Sequence, residues 1–105
     1  MKKYRVVIPL TAKDSLREIL EFIKKDSPSA AEKVRKKLLD TAKGLSVSPE
    51  RFSLEEHLLF KEGNYRSVVL WHFKIVYKVS ESEVLILKFI HTSRNPELIK
   101  KLDDS

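Results

Sequence analysis

The chain has 105 residues, of which 42% are hydrophobic and 34% are charged, and its formal net charge at pH 7 is +6. This length predicts one domain over residues 1–105, which buries roughly two-thirds of the surface that its unfolded form exposes. The apolar runs are too short to span a membrane, and the run at residues 6–10 is too short for the apolar region of a signal peptide. The absence of cysteine excludes disulfides, thiolate metal sites and a thiol nucleophile. We therefore expect a cytoplasmic protein whose positive charge either serves an anionic partner, nucleic acid or acidic protein, or only keeps the chain in solution.

The first two predicted elements are a strand and a helix. Residues 2–9 alternate partly, with Tyr4, Val6 and Ile8 on one face, and a proline ends this strand because it cannot donate to a ladder. Thr11 is a suitable N-cap, and Asp14 follows it at nearly the spacing of a capping box. Apolar residues then recur at helical intervals, which predicts a helix that ends near Asp26.

A second helix is expected to follow after a very short connection. Pro28 stands at an early helical position, where its missing N–H costs little, and Ser29 with Glu32 offers a second capping pair. An apolar stripe continues to Leu45, and Gly44 is the expected stop. The two helices therefore form a hairpin.

The C-terminal half reads as strands. Residues 54–60 fit either a short edge strand or a turn of helix, and Trp71 is expected to cover the core beside a strand turn. We expect strands at residues 65–70, 73–79 and 84–91. Residues 84–87 are apolar on both faces, which indicates a central strand that is covered on both sides. The element order predicts an α+β fold, in which an N-terminal strand and three antiparallel strands form one sheet with the helical hairpin on a single face.

The predicted strands also carry spaced basic residues, which are Arg66, Lys74, Lys78, Lys88 and Arg94. Several cations on a small sheet make a plausible binding face for phosphate, a carboxylate or an acidic protein. Arg66 could instead pair with a nearby carboxylate and close the edge of the sheet. His91 could act as an acid or a base, or its ring could only hydrogen-bond a backbone carbonyl. His57, His72 and His91 do not have the spacing of metal ligands, so we expect no metal and no cofactor.

Taken together, the order and the residues of these elements resemble the RelE/ParE family of bacterial toxins from type II toxin–antitoxin systems. The resemblance covers essentially the whole chain, and its strongest part lies in residues 73–79 and 84–87. The other matching positions are Tyr4-Arg5-Val6, Ala12, Ala30-Ala31, Leu45 with Pro49, Tyr65-Arg66 and residues 90–96. The resemblance implies the fold already outlined and a partner, a cognate antitoxin that is typically acidic and wraps the toxin.

The family divides by target. RelE-like members cut mRNA in the ribosome, and the resemblance places Arg66, Lys74, His91 and Arg94 in the catalytic positions of such a ribonuclease. Two positions depart from that branch, since Val68 stands where it often has a lysine and Lys100 where it often has a tyrosine.

ParE-like members lack that basic cluster and poison DNA gyrase, and the ending from His91 to Pro96 is more similar to theirs. This branch is therefore favoured, and it implies a gyrase inhibitor rather than an enzyme. The expected target-binding residues are Arg94, Asn95, Leu98 and Lys101. Two alternatives stay open, a ribosome-dependent endoribonuclease and a non-toxic family member that only binds an acidic partner.

Overall fold

A computed structural model describes residues 2–92 together with Ile99 and Leu102. It contains one four-stranded sheet with the strand order β1-β4-β3-β2. The strands are β1 (Arg5–Val7), β2 (Asn64–Leu70), β3 (Phe73–Val79) and β4 (Glu83–His91), and the helices are α1 (Leu10–Lys24) and α2 (Pro28–Gly44). The last three strands are antiparallel, as predicted, whereas β1 pairs parallel to β4. The helical hairpin carries the chain from β1 at one edge of the sheet to β2 at the opposite edge, and the β2–β3–β4 meander then returns to β1.

The main core lies between the sheet and the helical hairpin. It includes Tyr4, Val6 and Ile8, the three residues predicted to share a face of the first strand. One side of α1 contributes Ala12 and Leu16, and the apolar stripe of α2 contributes Leu38 and Ala42. Leu45, the C-cap of α2, also belongs to this core. The predicted packing of the hairpin on one face of the sheet is therefore confirmed. Among the described residues, no helix is both long and apolar enough to cross a bilayer.

The start of α1 differs from the prediction. The N-cap is Pro9 rather than Thr11, and its carbonyl accepts the first helical hydrogen bond, from the N–H of Lys13 at 3.0 Å. Asp14 pairs with Arg17 at 2.8 Å instead of closing a capping box. The extended backbone of Pro9, with φ −68° and ψ 166°, already has the geometry that an N-cap requires. The helix therefore begins at Leu10, two residues earlier than an N-cap at Thr11 would set it.

The second helix begins as Pro28 predicts. Its N-cap is Ser27, whose hydroxyl accepts from the N–H of Ala30 at 3.2 Å, so the expected capping pair of Ser29 and Glu32 is wrong. Glu32 instead lies beside Arg35, 2.7 Å from its guanidinium. Gly44 is the last helical residue.

A second, smaller core covers the opposite face of the sheet. It contains Leu58, Tyr65, Val76, Leu87, Ile90 and Ile99, with Leu85 and Leu102 at its margin. Leu87 is an extra residue in β4, because Val76 faces Lys88 while Tyr77 faces Ile86. This bulge leaves two consecutive residues of β4 on the same face. The prediction that β4 is central and covered on both sides is confirmed.

The stretch at residues 54–60 combines both predicted alternatives. Leu54 forms a β-bridge to Arg66, and the N–H of Glu55 donates to the carbonyl of Tyr65 at 2.9 Å, so the segment runs along the edge of β2. A 3-10 turn then follows at Glu56–Leu58. The edge strand β2 is thereby shielded from further pairing along part of its length.

The free edge of β4 is closed by α1. Strand β1 pairs only with residues 83–85, which leaves the N–H of Phe89 without a strand partner on that side. The Ser15 hydroxyl accepts this hydrogen bond at 3.0 Å and donates its own to the carbonyl of Ala12 at 2.6 Å. Ser15 is buried, so one polar side chain satisfies a backbone donor inside the core.

Candidate functional site

Arg66 holds a loop against the edge of the sheet. Its Nη1 donates to the carbonyls of Phe52 at 2.6 Å and Glu50 at 3.2 Å, and its Nε donates to Oδ1 of Asn64 at 2.8 Å. Nη2 lies 3.6 Å from the Glu50 carboxylate. Only 18% of the side chain is exposed. The guanidinium fork is thus engaged within the protein, in agreement with the interpretation that Arg66 closes the sheet edge.

Lys74 forms an ion pair with a buried carboxylate. Its ammonium lies 2.9 Å from Oε1 of Glu55, which is fully buried, while 16% of the lysine side chain is exposed. Burial acts to raise the pKa of Glu55. Hydrogen bonds from the backbone N–H of His57, from Lys74 and from Ser67, with the lysine charge, outweigh it and hold that pKa below its usual range. Glu55 is therefore an anion near neutral pH, and Lys74 is its counter-ion.

The predicted catalytic residues that the structure describes do not converge. Arg66 is opposite Tyr77 on the helix side of the sheet, whereas Lys74 is opposite Ile90 on the other face. His91 is opposite Phe73 and again faces the helices. Tyr77 lies four positions beyond Phe73 in β3, so His91 lies about 13 Å from Arg66 along the strand direction alone. A phosphate cannot contact all three side chains in this arrangement.

Tyr77 belongs to the core, as expected, and is fully buried. Its hydroxyl donates to the carbonyl of Pro49 at 2.6 Å. Burial, as the main cause, raises its pKa to about 12. The phenol therefore stays protonated near neutral pH and ties the loop after α2 to the sheet.

His91 lies in a groove, which we call the His groove, between the second half of α1, the β2–β3 turn and the end of β4. The groove has a volume of about 680 Å³, and its lining residues are Glu18, Ile19, Glu21, Phe22, Ile23, Lys25, His72, Phe73 and His91. The His91 ring stacks on that of His72, with centroids 6.1 Å apart, and meets Phe73 edge-on at 5.5 Å. Phe22 is 71% exposed at this groove. An open, partly apolar groove of this kind suits a segment of a partner protein.

Trp71 differs from its prediction, because 57% of it is exposed rather than covering the core. It occupies the two-residue turn between β2 and β3 with φ +56°, a left-handed conformation that favours glycine. Neither Trp71 nor His72 is typical of hairpin turns, so the composition of this turn carries no turn signal. The strand boundaries were nevertheless predicted, because the apolar alternation on both sides defines them.

The remaining predicted target-binding residues, Arg94, Asn95, Leu98 and Lys101, lie outside the described residues. Within residues 2–92, Ile99 and Leu102, no group of three or more His, Asp or Glu side chains is placed to hold a metal ion. Among the described residues, the histidines of the candidate site are His72 and His91, which line the His groove.

Comparisons with known proteins identify the family. A family described as the ParE toxin of type II toxin–antitoxin systems, parDE, matches residues 6–96. A solved structure of the chromosomal ParDE toxin–antitoxin system from P. aeruginosa is similar in fold, with a TM-score of 0.71 and 18% sequence identity. That similarity covers 89% of this chain and 100% of the other. No curated protein sequence matches. Because the family match spans most of its length, the chain belongs to the ParE toxin family of type II toxin–antitoxin systems.

Proposed function

We propose that this toxin inhibits DNA gyrase by binding to it and that a cognate antitoxin neutralises it. Membership of the ParE family carries the proposal, and the engagement of Arg66 and Lys74 within the fold agrees with a toxin that acts by binding. On this account the protein is not an enzyme and needs no cofactor. A cytoplasmic location follows, because gyrase acts on intracellular DNA.

The proposed target contact is the C-terminal segment with Arg94, Asn95, Leu98 and Lys101. An Arg94→Glu variant that folds should lose most of its toxicity, because it reverses a charge at the proposed interface. Arg17→Glu serves as the control, since it makes the same charge change on α1. Equal toxicity of the wild type and the Arg94→Glu variant would contradict this assignment.

We assign the antitoxin to the His groove. A segment of the antitoxin would bury the exposed Phe22 ring against Ile19 and Ile23. Polar groups of that segment would meet Glu18, Glu21 and Lys25, the charged side chains that also line the groove. Phe22→Ser should weaken antitoxin binding at least 10-fold, because a buried aromatic anchor typically contributes more than about 1–2 kcal/mol. Leu10→Ser is the matched control, since Leu10 is 70% exposed on the same helix. Equal weakening in both variants would refute the assignment.

The ribonuclease remains the second candidate. It predicts an early stop in protein synthesis after induction of this chain alone, with DNA synthesis unaffected at that time. The gyrase proposal predicts an early stop in DNA synthesis while protein synthesis continues. The third alternative, a family member that only binds an acidic partner, predicts neither effect. Pulse-labelling of DNA and protein in one culture separates the three.

A further inference from the structure

Helix α2 carries half of the net charge of the chain on its outer face. Among residues 28–44 there are five basic and two acidic side chains, a net charge of +3, against +6 for all 105 residues. Arg35 is paired with Glu32. The other four basic residues are Lys33, Lys36, Lys37 and Lys43, and all are exposed. No ion pair within the described part of the chain includes any of these four.

These four residues form one row, which we call the lysine row. At 100° per residue they lie within a 120° arc, opposite the buried stripe that contains Leu38 and Ala42. Lys33 and Lys43 are separated by roughly 15 Å along the helix axis. At its C-terminal end, α2 meets the start of the chain, where Lys3 forms a β-bridge to Val47. The row is thus a cationic band along the outer face of α2, and a further lysine continues it at the C-terminal end of the helix.

We propose that the lysine row binds the phosphate backbone of double-stranded DNA. A length of 15 Å along a B-form duplex presents about nine phosphate charges whatever the base sequence, so ammonium groups spread over this length find partners without reading the bases. Lysine acts here as a point charge, which suits phosphate without demanding bidentate geometry. The inference rests on the proposed function in one respect, because a gyrase inhibitor meets its target on DNA. Its partner, however, is the duplex itself.

The expected dependence of DNA affinity on salt follows from the number of phosphate contacts. Four phosphate contacts predict a slope of about −3.6 in a plot of log affinity against log salt, so that affinity falls about 150-fold between 50 and 200 mM salt. Asp40 lies in the middle of the row and opposes binding. Asp40→Asn should therefore strengthen binding and leave the fold intact, because its side chain is exposed.

The experiment measures fluorescence anisotropy of a labelled 30-base-pair duplex with purified full-length toxin, without gyrase. Wild-type protein should bind with the slope given above. The triple variant Lys33→Glu, Lys36→Glu, Lys37→Glu should lose at least 10-fold in affinity at 50 mM salt. The matched control is the triple Lys→Glu variant at Lys13, Lys24 and Lys25, which makes the same change in net charge and should retain most of the affinity. Circular dichroism establishes that both variants are folded.

Three outcomes would overturn the proposal. These are no binding at 50 mM salt, equal losses in the two triple variants, and displacement of the duplex by polyglutamate at an equal charge concentration, which would indicate an acidic protein partner instead. Inhibition of gyrase is measured in parallel with a DNA supercoiling assay. If the toxin inhibits gyrase but fails the anisotropy test, the DNA proposal fails and the proposed function stands.

Discussion

Replacement of Lys74 distinguishes a structural role from a catalytic one. Lys74→Met keeps the aliphatic stem but removes the ammonium 2.9 Å from the buried Glu55 carboxylate. A hydrogen bond to a charged group contributes about 1.5–3 kcal/mol, and breaking a buried pair by removing one partner costs up to about 3–5 kcal/mol. Glu55 keeps its hydrogen bond from the N–H of His57 at 2.8 Å, and Lys74 is partly exposed, so we expect the lower value, about 2–3 kcal/mol.

The pH dependence of this loss follows from the pKa of Glu55. Because the folded-state pKa is lowered, the ion pair contributes stability above the unfolded-state value, near pH 4.3. This contribution is lost as the pH falls through the lower folded-state pKa. The penalty of Lys74→Met should therefore be larger at pH 7 than at pH 4. In the double variant with Glu55→Gln, the penalty at pH 7 should shrink, because no buried charge is left unpaired.

Urea unfolding monitored by circular dichroism measures these free energies of unfolding. Lys88→Met is the control, since Lys88 lies on the same face of the sheet and takes part in no ion pair within the described residues. A stability of Lys74→Met within about 0.5 kcal/mol of the wild type, comparable to an ordinary surface change, would refute the reasoning. Toxicity gives a second result. A binding toxin should lose toxicity only as far as it loses folded protein, whereas a ribonuclease with catalytic Lys74 should be inactive even when folded.

Two further predictions concern local structure. Trp71→Gly should be more stable than Trp71→Ala by about 1 kcal/mol, because only glycine relieves the left-handed φ of +56°; equal thermal midpoints would contradict this conformation. Ser15→Ala removes the acceptor of the buried Phe89 N–H and should lower the free energy of unfolding by about 1–3 kcal/mol, whereas the exposed Ser29→Ala should change it little. Equal losses in the free energy of unfolding of the two variants would show that the buried hydrogen bond of Ser15 does not stabilise the fold.

Elements with periodic apolar residues were predictable from the sequence. Strands β3 and β4 carry continuous apolar runs and α2 carries a helical apolar repeat, and burial enforces these patterns in the fold. Helix starts were less predictable, because several residues can serve as caps. At α1 the backbone of Pro9 made the Thr11 side chain unnecessary, and at α2 the hydroxyl of Ser27 replaced that of Ser29.

The predicted site was harder to foresee, since it depends on contacts between residues far apart in the chain. Pattern alone could not show that Lys74 would meet Glu55, nineteen residues earlier, because the segment before β2 has no periodicity. Nor could it show that His72 and His91 would stack across the β3–β4 pairing. For Arg66 the structural role was one of two open interpretations, because a charge within an otherwise apolar strand requires a partner but the sequence does not say which partner.

The most direct test of the central claim is a supercoiling assay with purified gyrase, relaxed plasmid DNA and purified toxin, with and without its antitoxin. The account predicts dose-dependent loss of supercoiling that the antitoxin reverses, together with retention of the effect in the folded Lys74→Met variant. Full gyrase activity at saturating toxin would contradict the account. Cleavage of mRNA on ribosomes by the same preparation would then support the ribonuclease alternative.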